Sequence, residues 1–456
     1  MVFITLLSSG IPLTISKLTA SNKVSSNYNS TYSAITSSLR IEILLSAIII
    51  AIILIFKKLF IVFLGSAFSY YMLLSLIPAI ICAGIYSPFK GYLWGEEQYF
   101  RVSIVEFVEQ VLKIVVLLVL ATIGTNMENL LPLGYAISIS AILSTIIGII
   151  FYFNQGGKLS TKNLVYRPII NSALPLTTTR LCGSLMSPLI SIILPFRLIA
   201  IGYSKSQALS MLGIAMGMAF PILTVPSTLI GSLSMALIPE IATMLESGKS
   251  NSLKKQINSS LLFTSCCSFI CLPILLALSE PMCLFLFENY EAGIYLKYAA
   301  WTIIPTGLSS ITTSILNSLG KEKQTFYYFL FSSIVTIIII FIAPQLFGIH
   351  SLFIALGVGM TITIILNIIC MYKTINFKPT ITKIVLKLIL ITLPTTLLAR
   401  WLYNILLLMY GSFFAMLISA IITTMTFVLL LVVFNLLDIS VIIENIKTKS
   451  KKPKTC

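Results

Sequence analysis

The sequence predicts an all-α polytopic membrane protein. Of its 456 residues, 57% are hydrophobic and only 10% are charged, and the mean hydropathy is +1.02. Soluble domains carry about 25% charged residues. Apolar windows of about 20 residues, the length that crosses about 30 Å of hydrocarbon, recur along the whole chain. The loops between them are too short for a soluble domain, so we expect any activity in or between the helices.

Thirteen windows are typical of transmembrane helices. They cover residues 1–18, 41–56, 68–90, 103–124, 130–153, 168–198, 208–236, 258–279, 294–318, 325–346, 350–371, 383–409 and 411–437. The first window has no basic residues before it, which favours a span over a signal peptide. Residues 21–38 are rich in Ser, Asn and Thr, so we expect a solvated connection there.

The 30 Lys and Arg residues are distributed unequally between the two sides that these spans define. One side receives 22 of them, including the tail lysines from Lys447 to Lys454, and the other side receives six. The positive-inside rule then predicts a multi-pass protein of the cell membrane with a cytoplasmic C-terminus. The net charge of +16 forms no basic patch with interleaved aromatic residues, so nucleic acid is not predicted as a partner.

Two sequence segments recur at nearly the same spacing. Ile11–Leu18 resembles Ile238–Leu245, 227 positions later, and Trp94–Gln98 resembles Leu319–Lys323, 225 positions later. An offset that covers an even number of helices predicts two parallel, pseudo-symmetric halves. The expected domains are an N-lobe of about five helices (1–160), a C-lobe of about six helices (161–375), a C-terminal helix pair (376–440) and a basic cytoplasmic tail (441–456).

A polar stripe marks the sixth span. Thr177, Arg180, Ser184, Ser187 and Ser191 recur at steps of three and four, so they share one helical face. An arginine at the centre of a span costs about 2.5–3.5 kcal/mol unless it faces protein or water. Two interpretations stay open: Arg180 binds a substrate, or it pairs with a carboxylate or with carbonyl groups at a helix end.

A second polar face is predicted on the fourth span. Glu106, Glu109, Gln110 and Lys113 lie at positions i, i+3, i+4 and i+7. One interpretation is a helix entry that pairs internally, Glu109 with Lys113. The other places these groups on the wall of a cavity, as relay groups or substrate contacts.

No metal or cofactor site is predicted. The eight cysteines form no CxxC pair, and His350 is the only histidine. The chain also has no sizeable outer loop and no paired-carboxylate motif, so an enzyme such as a membrane glycosyltransferase is not favoured. We expect Gly213, Gly217 and Gly231, with Pro221 and Pro226, to permit close helix packing and kinks.

Several segments resemble the stage V sporulation protein B group of the polysaccharide transport family. The most distinctive are Ser172–Leu181, Leu194–Leu198, Met218–Pro221, Pro226–Ser227 and Ser232–Pro239, supported by Ser9–Leu18, Val108–Val111 and Leu316–Lys321. The resemblance covers essentially the whole chain. It implies membership of the multidrug/oligosaccharidyl-lipid/polysaccharide (MOP) exporter superfamily, with fourteen helices in two six-helix lobes and a C-terminal pair. On that plan the first lobe here lacks its first helix, and the basic residues that related flippases carry there have no counterpart.

The resemblance implies a flippase-like exporter of a lipid-linked saccharide or polysaccharide precursor, for cell-wall or spore-cortex synthesis, that works by alternating access. Arginine suits the diphosphate of such a lipid because its charge is permanent and its donors are bidentate. The candidate substrate contacts are Arg180, Thr177, Ser184, Ser187, Glu109, Lys113 and Glu106, and the coupling ion stays unassigned. The alternatives are a multidrug or cation antiporter of the same superfamily, which needs an acidic binding site, and a non-transporting scaffold for cell-wall enzymes.

Overall fold

The computed structural model confirms the all-α class. It describes residues 6–7, 9–64, 67–122, 131–160, 164–248, 250–377 and 381–434, which are almost entirely helical and contain no strand. Nine helical segments among them are long and apolar enough to cross a membrane. The predicted basic tail at 441–456 lies outside the described residues, as do residues 1–5 of the first predicted span.

Each predicted span overlaps a helix or consecutive helices of the described residues. The helices are α1 (Gly10–Val24), α2 (Tyr28–Ile55), α3 (Lys57–Leu64), α4 (Ala67–Ser75), α5 (Ile77–Gly95), α6 (Tyr99–Thr122), α7 (Leu131–Asn154), α8 (Arg167–Ala200), α9 (Lys205–Ile214), α10 (Phe220–Glu246), α11 (Ser250–Phe287), α12 (Tyr290–Ala299), α13 (Ile303–Ser318), α14 (Glu322–Ile342), α15 (Pro344–Phe347), α16 (Ser351–Ile375) and α17 (Ile381–Val433). A π-helical segment, Ala215–Ala219, joins α9 to α10. The last two predicted spans are merged in α17 across a kink at Gly411, where φ is +76°.

The solvated connection predicted for residues 21–38 is shorter than expected, since residues 23–29 are exposed but residues 33–38 are buried. α2 begins at Tyr28, and the Asn27 side chain caps it by accepting a hydrogen bond from the Ser30 N–H at 3.3 Å. Thr36 and Ser37 donate to the carbonyl four residues back, at 2.9 and 2.8 Å. Because these hydroxyl groups are satisfied within the helix, a polar sequence can be both helical and buried.

The chain divides into two compact units. The first comprises Met1–Pro188, Ser234–Leu253 and Ser314–Leu330, and the second comprises Leu189–Leu233, Lys254–Thr313 and Phe331–Cys456. The first unit has a buried cluster that includes Ile15, Ile35, Leu93 and Tyr152. The second has a larger one that includes Leu194, Leu198, Phe269, Leu296 and Phe353. The predicted lobe boundaries differ from these units and stay a prediction about the repeat.

Three pairs of helix ends repeat the same backbone conformation. Ser26, Glu97 and Gly156 follow α1, α5 and α7 with positive φ, and Gly248, Gly320 and Asn376 do so after α10, α13 and α16. The pairs are separated by 222, 223 and 220 positions. A left-handed residue just past a helix closes its last turn. This spacing is regular, and it differs by a few residues from the 225 and 227 of the sequence alignment.

The glycines expected to permit close packing are not the ones that do. A Cβ on Gly213, Gly217 or Gly231 would have no atom of another described element within 4 Å. A Cβ on Gly10, by contrast, would collide with the Thr177 hydroxyl and the Ala173 carbonyl. Close approach therefore occurs where α1 crosses α8.

Candidate functional site

The polar stripe lies on α8, which runs without interruption from Arg167 to Ala200. Arg180 is exposed and forms no salt bridge or hydrogen bond with any described residue. Ser184 is half-buried, and its hydroxyl donates to the Leu181 carbonyl at 2.7 Å. Within the described part of the chain, the carboxylate partner that would make Arg180 purely structural is not found.

The segments that carry the family resemblance contact each other. Gly10 of α1 lies directly against Ala173 and Thr177 of α8. Leu13, Leu176 and Ile238 form a small buried cluster beside this crossing, against Trp94. Thr177 is therefore a packing residue of the crossing as well as a member of the stripe.

An apolar groove of about 740 Å³ opens beside the same crossing. Its walls are mainly aliphatic side chains of α2 and α8, and its polar groups are those of Arg40, Glu42, Tyr166, Thr177 and Thr178. The Arg40 guanidinium donates to the Tyr166 hydroxyl at 3.5 Å. Arg180 does not line this groove.

The acidic residues of α6 form ion pairs with lysines and also line a cavity. Glu106 binds Lys90 of α5, and Lys113 lies 3.5 Å from Glu109 and donates to Gln110 at 3.3 Å. Glu106, Glu109 and Lys90 also line a cavity of about 190 Å³ between α5, α6 and α7. The two sequence interpretations are thus compatible, because paired side chains form the cavity wall. Thr177, Arg180, Ser184 and Ser187 do not line this cavity.

Sequence reasoning missed an ion-pair network at the end of α1. Lys17 lies 2.8 Å from Glu322 and donates to the Asn317 carbonyl at 3.1 Å. Nearby, Ser21 donates to Glu246 at 2.8 Å. The partners are more than 200 positions apart along the chain, so no local spacing could have indicated them.

Lys23, in the last turn of α1, forms a further ion pair. Its ammonium group lies 2.9 Å from the Glu96 carboxylate. Partial burial lowers the pKa of Lys23, but the hydrogen bond and charge of Glu96, with the charge of Glu97, leave it above its ordinary value. The turn after α5 thus binds Lys23 of α1, whereas Lys17 of α1 binds Asn317 in the last turn of α13 and Glu322 at the start of α14.

The described residues contain no group of three His, Cys, Asp or Glu side chains that could hold a metal ion. The described residues offer instead a guanidinium in a long apolar helix with no partner among them, a cavity lined in part by charged groups and an open apolar groove. These are features for binding and moving an amphiphile, and they define a multi-pass membrane protein of the transporter class.

Solved structures of transporters share this fold. A multidrug resistance MATE family transporter of the MOP superfamily in an outward-facing conformation superimposes with a TM-score of 0.71 at 13% identity, covering 82% of this chain and 85% of that one. The bent form of the Vibrio cholerae MATE transporter VcmN gives 0.69 at 14% identity, with 83% and 88% covered. A MOP superfamily transporter from Pyrococcus furiosus gives 0.69 at 15% identity, with 82% and 85% covered.

The sequence comparisons then define the family. Stage V sporulation protein B of Bacillus subtilis (strain 168) is 24% identical over 393 residues, which cover 80% of this chain and 73% of the relative. The family described as MatE matches residues 182–342, and the family described as polysaccharide biosynthesis protein matches residues 1–245. The chain belongs to the polysaccharide biosynthesis protein family. The resemblance and the membrane exporter class inferred from the sequence are confirmed.

Proposed function

We propose that this protein is a flippase that exports a lipid-linked saccharide, recognising the diphosphate through Arg180. The observation that carries the proposal is the position of Arg180. It lies 13 residues after the start of α8, about 20 Å along the helix axis, in a segment apolar enough to span the bilayer. A guanidinium at that depth, without a partner among the described residues, is stabilised when an anionic headgroup or a wet cavity faces it.

The other candidate contacts have secondary parts in this proposal. Ser184 and Ser187 lie on the same face as Arg180, and their hydroxyl groups suit sugar or phosphate oxygens. Glu106, Glu109 and Lys113 line or flank a separate cavity, where they fit a relay of charge better than direct headgroup contact. Transport by alternating access would use the N-lobe (1–160) and the C-lobe (161–375) as its two moving parts. The regular spacing of the helix ends supports that duplication.

The proposed location is the cell membrane, with the C-terminus in the cytoplasm. The unequal distribution of Lys and Arg supports this orientation. The relative's name links it to sporulation, and a role in spore-cortex or cell-wall synthesis is proposed here by that similarity.

The first test compares two arginines of α8. Arg180→Ala should lower the flipping of a fluorescent polyprenyl-diphosphate saccharide in proteoliposomes by roughly 10- to 100-fold, because a charge-assisted hydrogen bond contributes about 1.5–3 kcal/mol. Arg197→Ala is the matched control, since Arg197 already donates to the Phe341 carbonyl at 2.7 Å and stacks on its ring. It should retain wild-type flipping.

Wild-type flipping by Arg180→Ala would remove this residue from the site. A wild-type protein that moves an organic cation such as ethidium but not the lipid-linked saccharide would favour the antiporter alternative. Glu106 and Glu109 are both paired with lysines, which disfavours these two residues as the acidic cation site of an antiporter.

A further inference from the structure

Glu42 lies in the middle of α2, at the start of its apolar half. The residue is 1% exposed, and neither of its carboxylate oxygens has a hydrogen-bond partner among the described residues. An ionised carboxylate in an apolar interior is strongly destabilised unless a cation or several donors compensate its charge. Glu42 therefore needs a positive partner that the described side chains do not supply.

Two serines flank Glu42, one helical turn away on either side. Ser38 and Ser46 are both buried, and neither hydroxyl oxygen has a partner among the described residues. Thr36 and Ser37 of the same helix donate instead to backbone carbonyls. Because positions i−4 and i+4 share a helix face, the hydroxyl groups of Ser38 and Ser46 lie on the same side of α2 as the carboxyl group.

α5 packs directly against this face because Gly84 has no side chain. A Cβ on Gly84 would lie 2.7 Å from the Ser46 hydroxyl oxygen and 3.5 Å from one carboxylate oxygen of Glu42. Ser87, on the same side of α5, is a neighbour of the Glu42 carboxyl and donates to the Leu7 carbonyl at 3.1 Å. Glu42 is thus surrounded by hydroxyl groups, which can both donate and accept a proton.

Glu42 also lies between two spaces of the first unit. It contributes to the wall of the apolar groove of about 740 Å³. Its neighbour Ser87 lines the cavity of about 190 Å³, together with Lys90, Glu106 and Glu109. Ser87 is therefore a residue that both the Glu42 carboxyl group and that cavity have as a neighbour.

The charged groups near Glu42 are bound elsewhere. On α1, Lys17 pairs with Glu322 and Lys23 pairs with Glu96. On α5, Lys90 pairs with Glu106, and on α2, Arg40 donates to the Tyr166 hydroxyl. Past the far end of α2, Lys57 of α3 lies over the rings of Tyr70 and Tyr71, and Lys58 follows it. On α5, the buried Tyr86 hydroxyl has no partner among the described residues and lines the cavity. α8 presents Ile169, Ala173 and Thr177 to the groove, and none of these is charged.

We propose that Glu42 is an exchangeable proton-binding site, whose carboxyl group holds one proton and exchanges it with the cavity through the surrounding serine hydroxyls. The proton comes from water and returns to water, so no bond other than O–H forms or breaks. A proton that enters here removes the buried charge, and a proton that leaves restores it. Glu42 would then couple export to a proton gradient. This last use rests on the proposed transport function, whereas proton binding does not.

The test is infrared difference spectroscopy on the full chain in lipid nanodiscs at neutral pH. The wild-type protein should show the C=O band of a protonated carboxylic acid, and this band should shift when H₂O is replaced by D₂O. Glu42→Gln should lose the band. Glu280→Gln is the matched control and should keep it, since Glu280 already pairs with Lys297 at 3.1 Å.

Several outcomes would overturn the site. One is a wild-type spectrum without a protonated carboxyl band, which needs no variant and so does not depend on how Glu42→Gln folds. Another is a band that survives Glu42→Gln, or one that never shifts in D₂O. Loss of the band on adding NaCl at constant pH would make sodium, rather than a proton, the neutralising cation.

A flipping assay then tests the coupling separately. A proton gradient should speed flipping in proteoliposomes that contain the wild-type protein. In proteoliposomes that contain Glu42→Gln, the flipping rate should be the same with and without the gradient. A gradient response retained by Glu42→Gln would overturn the coupling role. Absence of flipping by the wild-type protein would overturn the proposed function instead, while the infrared result would still decide whether Glu42 binds a proton.

Discussion

Lys17 ties the end of α1 to the turn between α13 and α14. Its side chain is 23% exposed and that of Glu322 is 8% exposed, so the pair is shielded from water on one side. The same ammonium group also donates to the Asn317 carbonyl, and Asn317 accepts a hydrogen bond from Thr325 at 2.7 Å. A salt bridge held in a network of this kind loses less to side-chain entropy than an isolated surface pair.

We expect a measurable coupling energy between Lys17 and Glu322. A double-mutant cycle with Lys17→Met and Glu322→Gln should give about 1.5–3 kcal/mol, the contribution of a hydrogen bond to a charged group. The measurement is the free energy of unfolding in detergent micelles. The control cycle uses Lys297→Met and Glu280→Gln, whose side chains are 38% and 27% exposed and should couple by less than about 1 kcal/mol. Equal coupling in both cycles would mean that shielding of Lys17 has no energetic effect.

Residue spacing predicted an ion pair within one helix but not an ion pair between distant helices. The Glu109–Lys113 pair follows from i,i+4 spacing on a helix, and the structure contains it. The Lys17–Glu322 pair joins residues 305 positions apart, and only the tertiary fold brings them together. Glu42 had a readable signal, because Ser38 and Ser46 flank it at steps of four. The predicted span begins at residue 41, so it places Glu42 at a helix entrance, whereas the helix begins at Tyr28 and Glu42 lies in its middle.

At the scale of helices, the crossing of α1 and α8 sets the most severe packing constraint near the candidate site. The two helices approach so closely at Gly10 that a methyl group would overlap the Ala173 carbonyl, which is backbone and cannot rotate away. The crossing also positions Thr177, three residues before Arg180. A change at Gly10 should therefore alter both stability and the presentation of Arg180.

Gly10→Ala should destabilise the protein by about 1–3 kcal/mol, the usual cost of overpacking. The matched control is Gly231→Ala in α10, where a Cβ meets no neighbouring element. There alanine should be neutral or stabilising by up to about 1 kcal/mol, because glycine weakens a helix interior. Thermal unfolding of both variants checks the difference. Similar unfolding temperatures for the two variants would contradict the close approach at Gly10.

Helix existence was predictable, but helix ends were not. Each predicted hydropathy window overlaps a helix of the described residues, because burial in the membrane requires long apolar runs. Hydropathy missed the first 13 residues of α2, where Thr36 and Ser37 donate to backbone carbonyls of the helix and Ser37 also accepts a hydrogen bond from the Val165 N–H at 2.9 Å. The spacing of the similar sequence segments, 225 and 227 positions, also differs from the spacing of the helix ends, 220 to 223 positions. Sequence similarity aligned residue types, whereas the left-handed residues after the helices mark positions where the chain must turn.

At the scale of the whole molecule, one helical run predicts on which side of the membrane each of two lysines lies. Lys205–Glu246 is a continuous helical run of 42 residues, about 60 Å at 1.5 Å per residue. The bilayer is about 40–45 Å thick including its headgroups, so the run is long enough to cross it even when tilted. Lys205 at its start and Lys255, shortly after its end, should therefore lie on opposite sides.

Cysteine labelling measures this orientation. In a variant without its eight native cysteines, a membrane-impermeant maleimide should label Lys205→Cys in intact cells and Lys255→Cys only in inverted vesicles. Both positions are exposed and hydrophilic, so they differ in side rather than in accessibility. Labelling of Lys255→Cys from outside would reverse the topology and, with it, the direction in which Arg180 could move a headgroup. Labelling of both from the same side would mean that this run does not cross the membrane, and a flippase mechanism that uses α8 to α10 as spanning helices would fail.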